Sequence, residues 1–345
     1  MEKENFASLS VTEISQRWYI LFFVFKSLEF LNNSTVSKIP FELVAVLDEA
    51  LNDWTSTDEY IIVTSLVNNM NGFSFDNSLM FNDFIYTDIE LLYKVTFDKK
   101  LVQINIPVST YRDYLANVVL YHELGHFIDR KYEITRVFYI QLLEDLQKGT
   151  IKSSQLIELC QFFPYLSEAT NVDWFRKNYS PFNLLSAHIA EYFCDLFASQ
   201  YINDCSNHYL EYITLNQADY SPSHPSTINR VVLVKKFIDA TPSLIVDRMQ
   251  ETVFGITGKK LEKRFSLIKS DNFQSLVPYD VKDSKELHGL FKYGWSVWLG
   301  DWKDIESKAE IKFPLTQVKV YEIINNLIEK SVGNYVVQKE WSSVA

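Results

Sequence analysis

The chain has 345 residues, 47% of them hydrophobic and 22% charged, a globular composition with ample material for a core. Acidic residues outnumber basic ones by 44 to 33, a net charge of −11. Such a surface repels phosphate, so no nucleic acid is expected as a partner. Nine glycines and nine prolines, against a usual combined share of roughly 12%, count against propellers, turn-paced solenoids and G-x-G-x-x-G dinucleotide folds.

In chain order, Ser10 and Glu13 have capping-box spacing, and the segment from there to Leu31 is apolar on nearly every side. A helix of that kind is expected to be wrapped by protein. Its densest run, Trp18 to Phe25, reaches about half of the ~18 residues of a membrane span and has no basic leader or cleavage site. The sequence therefore predicts no membrane span and a cytoplasmic location. Pro40 stands at a first helical position before Glu42 to Trp54, Tyr60 to Leu66 reads as a strand, and Asn68 to Tyr86 as a long loop. Leu92 to Phe97 and Leu101 to Val108, flanking Asp98-Lys99-Lys100, predict a hairpin.

From there the pattern is helical: Thr110 to about Lys131, Thr135 to Lys148, Ser153 to Phe163, Pro181 to Ile202, Pro225 to Asp239, and Pro242 to Phe254 with Gly255 as C-terminal cap. Lys259 to Asp283 is turn-rich and marks a boundary, and Ser284 to Leu299 and Thr316 to Ser331 read as further helices. The expectation is an α+β, predominantly α protein with a small sheet before the central helices. Residues 1–258 form one domain, with N-terminal helices over 11–54, the sheet over 60–108 and catalytic helices over 110–254. Residues 259–345 form a helical accessory region. Trp295, Trp298 and Trp302 recur there at helical spacing, as core residues do. Cys160, Cys194 and Cys205 are odd in number and lack C-x-x-C spacing, which fits a reducing compartment.

One pattern carries chemistry. His122, Glu123 and His126 form H-E-x-x-H, which on a helix sets two imidazoles on one face for a single zinc ion, with Glu123 beside them as a base. Two histidines need a third protein ligand. The helix from Pro181 offers Glu191 and Asp195 at i and i+4, a carboxylate ligand followed by a carboxylate able to accept an imidazole N–H. His188 lies one turn earlier on that face, so spacing alone leaves His188 and Glu191 both open. Asp129, three residues after His126, reads either as a partner of the site or as a solvated helix acid. His208 and His288 have no partner pattern.

H-E-L-G-H followed by E-x-x-x-D resembles the gluzincin zinc metallopeptidases. The resemblance implies a zincin-like catalytic domain, His122, His126 and Glu191 as Zn2+ ligands, Glu123 as general base and Asp195 orienting His122. His224-Pro225 with Arg230 resembles the His-Pro…Arg segment of HtpX/CAAX-protease-type peptidases, where this histidine and arginine are associated with the active site. Glu191 to Ala198 also resembles the E-x-x-A-N-x-F-A segment of ImmA/IrrE-type proteases. The expected activity is a metalloendopeptidase acting on an intracellular protein or peptide substrate, with His224 or Arg230 donating to the oxyanion. Pairing of Arg230 with an acid is the plainer role. Val102 to Ile106 is the matching substrate-binding edge strand. The competing reading is a non-catalytic interaction or regulatory protein with a structural zinc.

Overall fold

The computed structural model describes residues 8–34, 41–56, 58–68, 73–75, 82–167, 179–212, 219–301, 304–312 and 314–344. The chain is α+β and predominantly α. It begins with helices α1 (Val11–Ser34) and α2 (Phe41–Asn52) and strands β1 (Tyr60–Val67) and β2 (Ser74–Phe75). Helix α3 (Asn82–Tyr93) and strand β3 (Lys100–Pro107) follow. The expected capping box closes α1, with Glu13 N–H donating to Ser10 Oγ at 3.3 Å and Ser10 N–H to Glu13 Oε2 at 2.7 Å. Pro40 and Trp302 lie outside the described residues.

The sheet has the order β1-β3-β2. Strands β1 and β3 run parallel from Tyr60↔Lys100 to Val67↔Pro107, while β2 pairs antiparallel at Ser74↔Asn105 and Phe75↔Ile104. This corrects two expectations. Leu92–Tyr93 ends a helix, so there is no hairpin, and Val102–Ile106 lies on the middle strand and not on an edge. Middle position explains the full burial of Val102, Ile104 and Ile106. The expected loop up to Tyr86 in fact contains β2 and the start of α3. That helix is held by Ile85, Tyr86 and Ile89, which pack on Ile20 and Phe23 of α1.

The central helices are α4 (Val119–Tyr132), α5 (Ile134–Lys148), α6 (Ser153–Phe162), α7 (Tyr179–Ile202), α8 (Cys205–Tyr212), α9 (Thr227–Ile238) and α10 (Leu244–Thr257). Helix α4 starts nine residues later than Thr110. Asp113 Oδ1 accepts Ala116 N–H and Tyr321 O–H, and Asn325 Oδ1 accepts Leu115 N–H, holding this stretch in short 3-10 turns. Helix α10 runs past Gly255 and ends at Gly258, whose φ of 68° supplies the left-handed C-cap. Asp129 is neither solvated nor turned to the site: its carboxylate accepts Thr135 N–H and Oγ1–H, each at 2.7 Å, at the start of α5.

After an irregular strap over 259–283 come α11 (Ser284–Ser296), a π turn (Val297–Asp301), α12 (Asp304–Lys308) and α13 (Gln317–Val344). This region shares one apolar core with the helices before it. The core runs from Leu43 through Val118, Phe193 and Met249 to Trp295, Ile324 and Val332. Gly289 permits the closest contact of the strap, because a Cβ there would meet Ser266 O at 2.0 Å. Trp295 is fully buried and donates to Leu115 O, Trp298 is half-buried against Tyr321, and Trp341 is exposed. No helix among the described residues is long and apolar enough to cross a membrane.

One expectation fails by a wide margin. Helix α1 is not wrapped: Trp18, Phe22 and Phe25 are 68%, 51% and 63% exposed, while Ile20, Phe23 and Phe30 face inward.

Candidate metal centre

Helices α4 and α7 cross at close range and bring the two motifs together. Gly125 makes this possible, since a Cβ there would stand 3.1 Å from Cys194 Cα. On α4, the i and i+4 histidines project from one face toward α7. His122 Nε2 lies 3.3 Å from Glu191 Oε2, and His126 Nε2 lies 3.5 Å from Glu191 Oε1. The two rings are 4.9 Å apart. The carboxylate therefore faces the outer nitrogen of both imidazoles.

Behind the cluster the contacts are tighter. His122 Nδ1 is 3.0 Å from Asp195 Oδ1, and Arg230 of α9 clamps Asp195 with two 2.7 Å hydrogen bonds, from Nε and from Nη2. Arg230 Nη2 also stands 3.5 Å from Glu191 Oε2. Arg230 is buried, so its guanidinium is turned into the protein behind Asp195, which is the pairing with an acid that the sequence left open. His224 is placed differently. Its side chain is 52% exposed, its Nε2 is 3.6 Å from Glu191 Oε2, and Ser223 Oγ holds its Nδ1 at 2.8 Å.

His188 is fully buried one turn before Glu191, with both nitrogens engaged elsewhere. Nε2–H donates to Ser221 O at 2.9 Å and Nδ1 faces Tyr165 Oη at 3.3 Å. Tyr165 and Tyr220 pack around its ring. Since Ser221 Oγ accepts His224 N–H, His188 anchors the turn that carries His224. Glu123, next to His122 on α4, is buried, and its charge is felt by the Tyr209 hydroxyl of α8. Tyr209 also packs on Phe73, beside β2, and burial first, then Glu123, pushes its hydroxyl up to about 12.

The two histidines titrate in opposite directions. Burial opposes a charge on His122, but Glu191 and Asp195 outweigh it and raise the imidazole to about 10. Burial, reinforced by the neighbouring His122, depresses His126 to about 3. One positive charge is accommodated between the carboxylates, and a second imidazolium 4.9 Å away is not.

Three side chains, His122, His126 and Cys194, offer ligand atoms within 4.8 Å of one another and could hold a metal ion. Cys194 Sγ, however, sits against the inner nitrogen of His126, 3.2 Å from Nδ1. The outer nitrogens face Glu191, whose Oε2 is buried without a hydrogen-bond partner. Its charge is met by Arg230 Nη2 at 3.5 Å and, in the metal-free protein, by the His122 imidazolium at 3.3 Å, whose place a bound cation would take. With neutral imidazoles, the carboxylates of Glu123, Glu191 and Asp195 against the one guanidinium of Arg230 leave two negative charges, which a divalent cation balances. The donor set, two imidazole nitrogens and one carboxylate, is one that zinc accepts.

The sequence places Cys194 on the face of α7 near Glu191 and, with Glu191 available, not as a ligand; what it does not show is the thiol's contact with His126. Tyr209, whose hydroxyl feels the charge of Glu123, is the neighbour that sequence reasoning missed. No local signal marks Tyr209. Comparison of the chain with protein-family models, with curated proteins and with solved structures gave no match.

Proposed function

We propose that the protein is a zinc-dependent metalloendopeptidase of the gluzincin type, on a zincin-like arrangement of sheet and helices. The observation that carries this reading is the convergence of His122 Nε2 and His126 Nε2 on the buried carboxylate of Glu191, whose Oε2 has no hydrogen-bond partner. Those three side chains would hold the metal. When bound, zinc lowers the pKa of water and polarises a scissile carbonyl, which is the chemistry peptide hydrolysis requires.

The remaining work falls to side chains of this chain. Glu123 accepts the proton of the attacking water on a carboxylate oxygen and returns it to the leaving amine. His224, half-exposed at the mouth of the site, donates from Nε2 to the carbonyl oxygen as negative charge develops there. Arg230 does not reach substrate in this scheme. It neutralises Asp195, and Asp195 keeps the proton of His122 on Nδ1, leaving Nε2 free to ligate. The substrate is a protein or peptide.

A second reading, a non-catalytic protein with a structural zinc, draws on Cys194, because thiolate ligands favour closed structural sites. The buried thiol is raised well above its ordinary range by desolvation, with nearby acids adding to it, which disfavours the thiolate. Retention of Glu123 beside the imidazoles also has no use in a staple.

The test combines metal analysis with cleavage. Wild type is expected to hold about one zinc per chain, and His122→Ala, His126→Ala and Glu191→Ala to lose it. Glu123→Gln is expected to keep zinc while losing ~10²-fold or more of peptide-bond cleavage. Zinc loss in Glu123→Gln equal to that in the histidine variants would overturn the division of roles. A zinc-loaded wild type without cleavage of any protein in a proteome-wide comparison would favour the structural reading.

A further inference from the structure

We infer that Cys194 is the positioning residue of His126, its thiol setting which imidazole nitrogen is free to bind metal. The inference rests on the metal site proposed above. It starts from an asymmetry between the two histidines. His122 has a carboxylate behind it, Asp195 Oδ1 at 3.0 Å from Nδ1, and a carboxylate can only accept. Behind His126 stands a thiol, Cys194 Sγ at 3.2 Å from Nδ1, and a thiol can donate or accept.

The difference decides what each ring can do. A ligating imidazole must carry its proton on the nitrogen away from the metal, and that N–H needs an acceptor when it is buried. For His126 this places the proton on Nδ1, and Sγ is the acceptor in contact with it. Without metal, the proton can move to Nε2, toward Glu191 Oε1 at 3.5 Å, while the thiol S–H donates to Nδ1. Cys194 thus gives His126 Nδ1 a partner in both tautomers.

The close crossing of the helices keeps the sulfur in place. Gly125, next to His126, lies against the Cα and Cβ of Cys194, so the thiol cannot back away without separating α4 from α7. Cys194 has no exposed surface, so reagents and oxidants do not reach it, and its role is contact with the ring and not redox chemistry.

Loss of the thiol is therefore expected to penalise the metal-loaded state more than the metal-free one. In Cys194→Ala the Nδ1–H of the ligating tautomer is buried with no acceptor, whereas the metal-free protein can use the other tautomer. The expected effect is a ten- to hundredfold weaker affinity for zinc, the usual consequence of removing a group that orients a ligating histidine.

The experiment titrates Zn2+ alone into full-length metal-free wild type, Cys194→Ala and Cys194→Ser in competition with a chromophoric chelator. Glu191→Ala is run beside them. Thermal melting of the metal-free proteins reports the fold, and long-range 1H–15N correlation of the histidine rings in zinc-loaded wild type reports the tautomer. The expected result is an Nδ1 proton on His126, the affinity loss in Cys194→Ala with the metal-free protein still folded and melting cooperatively, and recovery of most of the affinity in Cys194→Ser. Wild-type affinity in Cys194→Ala, or an Nε2 proton on His126 in the loaded protein, would overturn the inference and leave the metal site standing. Complete loss of zinc in both cysteine variants, with zinc retained in Glu191→Ala, would overturn it differently by making Cys194 a ligand. A wild type that binds no zinc would overturn the metal site itself and the inference with it.

Discussion

Helices α1 and α7 are both 24 residues long and both carry apolar side chains round most of their circumference. In α7 every residue from Glu191 to Ile202 is buried, and the buried set includes Glu191, Asp195, Ser199 and Gln200. In α1 the inner side packs on β1 and α3, while Trp18, Leu21, Phe22, Phe25 and Leu28 face outward. An apolar circumference therefore does not reveal what surrounds a helix. The informative residues are polar ones inside the apolar stretch. Helix α7 has acids there, and burial is tolerated only because Arg230 and two imidazoles face them. The apolar run of α1 has none between Arg17 and Lys26, so nothing in it demands a partner.

The contrast is broken most directly at Arg230. Removing one member of a buried ion pair strands the other charge, at a cost of about 3–5 kcal/mol. Arg230→Ala is expected to lower the melting point of the metal-free protein accordingly. Arg230→Lys is expected to fall between, because a lysine cannot reproduce the two-point contact with Asp195. Chemical denaturation of the three proteins measures this. Wild-type stability in Arg230→Ala would mean that the acids of α7 are not truly enclosed.

A pH series sharpens the same contrast from the other side of α7. The ring of Tyr201 packs 4.8 Å from His288 of α11, and Tyr121 Oη is 2.6 Å from His288 Nδ1. Burial, with Arg264 adding to it, lowers this imidazole from 6.5 to about 3. The folded state thus resists protonation that the unfolded state accepts. The stability from keeping His288 neutral is fully present above pH 6.5 and is lost as pH falls from there toward 3. The loss is about 1.4 kcal/mol per unit, or about 2 kcal/mol by pH 5. His288→Phe is expected to flatten that part of the stability curve in urea titrations at pH 7, 6 and 5. An unchanged slope would mean that α11 does not enclose α7 as tightly as the core packing indicates.

Much of the central region was legible because its signals are local. The H-E-x-x-H and E-x-x-x-D spacings follow from helical periodicity, and Ser10 with Glu13 marks a helix start by side-chain chemistry alone. What was not legible depends on distant contacts. Helix α3 hides in an Asn-, Phe- and Asp-rich stretch, and its inward residues are recognisable only once Ile20 and Phe23 are beside them. The middle position of β3 depends on β2, a two-residue strand too short to carry an alternation. Helix α4 starts late because Asn325, 210 positions away, takes Leu115 N–H. At the site, the engagement of both His188 nitrogens by Ser221 and Tyr165 is likewise set by tertiary contacts.

The smallest expected effect lies on α1 and tests the other half of the contrast. Substitutions of exposed residues away from special contacts change stability by about 0.5 kcal/mol or less. Trp18→Ser, Phe22→Ser and Phe25→Ser, singly, are therefore expected to unfold at the wild-type denaturant midpoint within that range. Phe23 is the internal control. It is 5% exposed and meets Tyr86 edge-on at 5.6 Å, so Phe23→Ala is expected to cost about 3 kcal/mol. A loss at Phe22 or Phe25 as large as that at Phe23 would show that the outer face is covered in solution. If that loss shrank on dilution of the protein, the cover would be a second copy of the chain, because mass action makes such stability concentration-dependent.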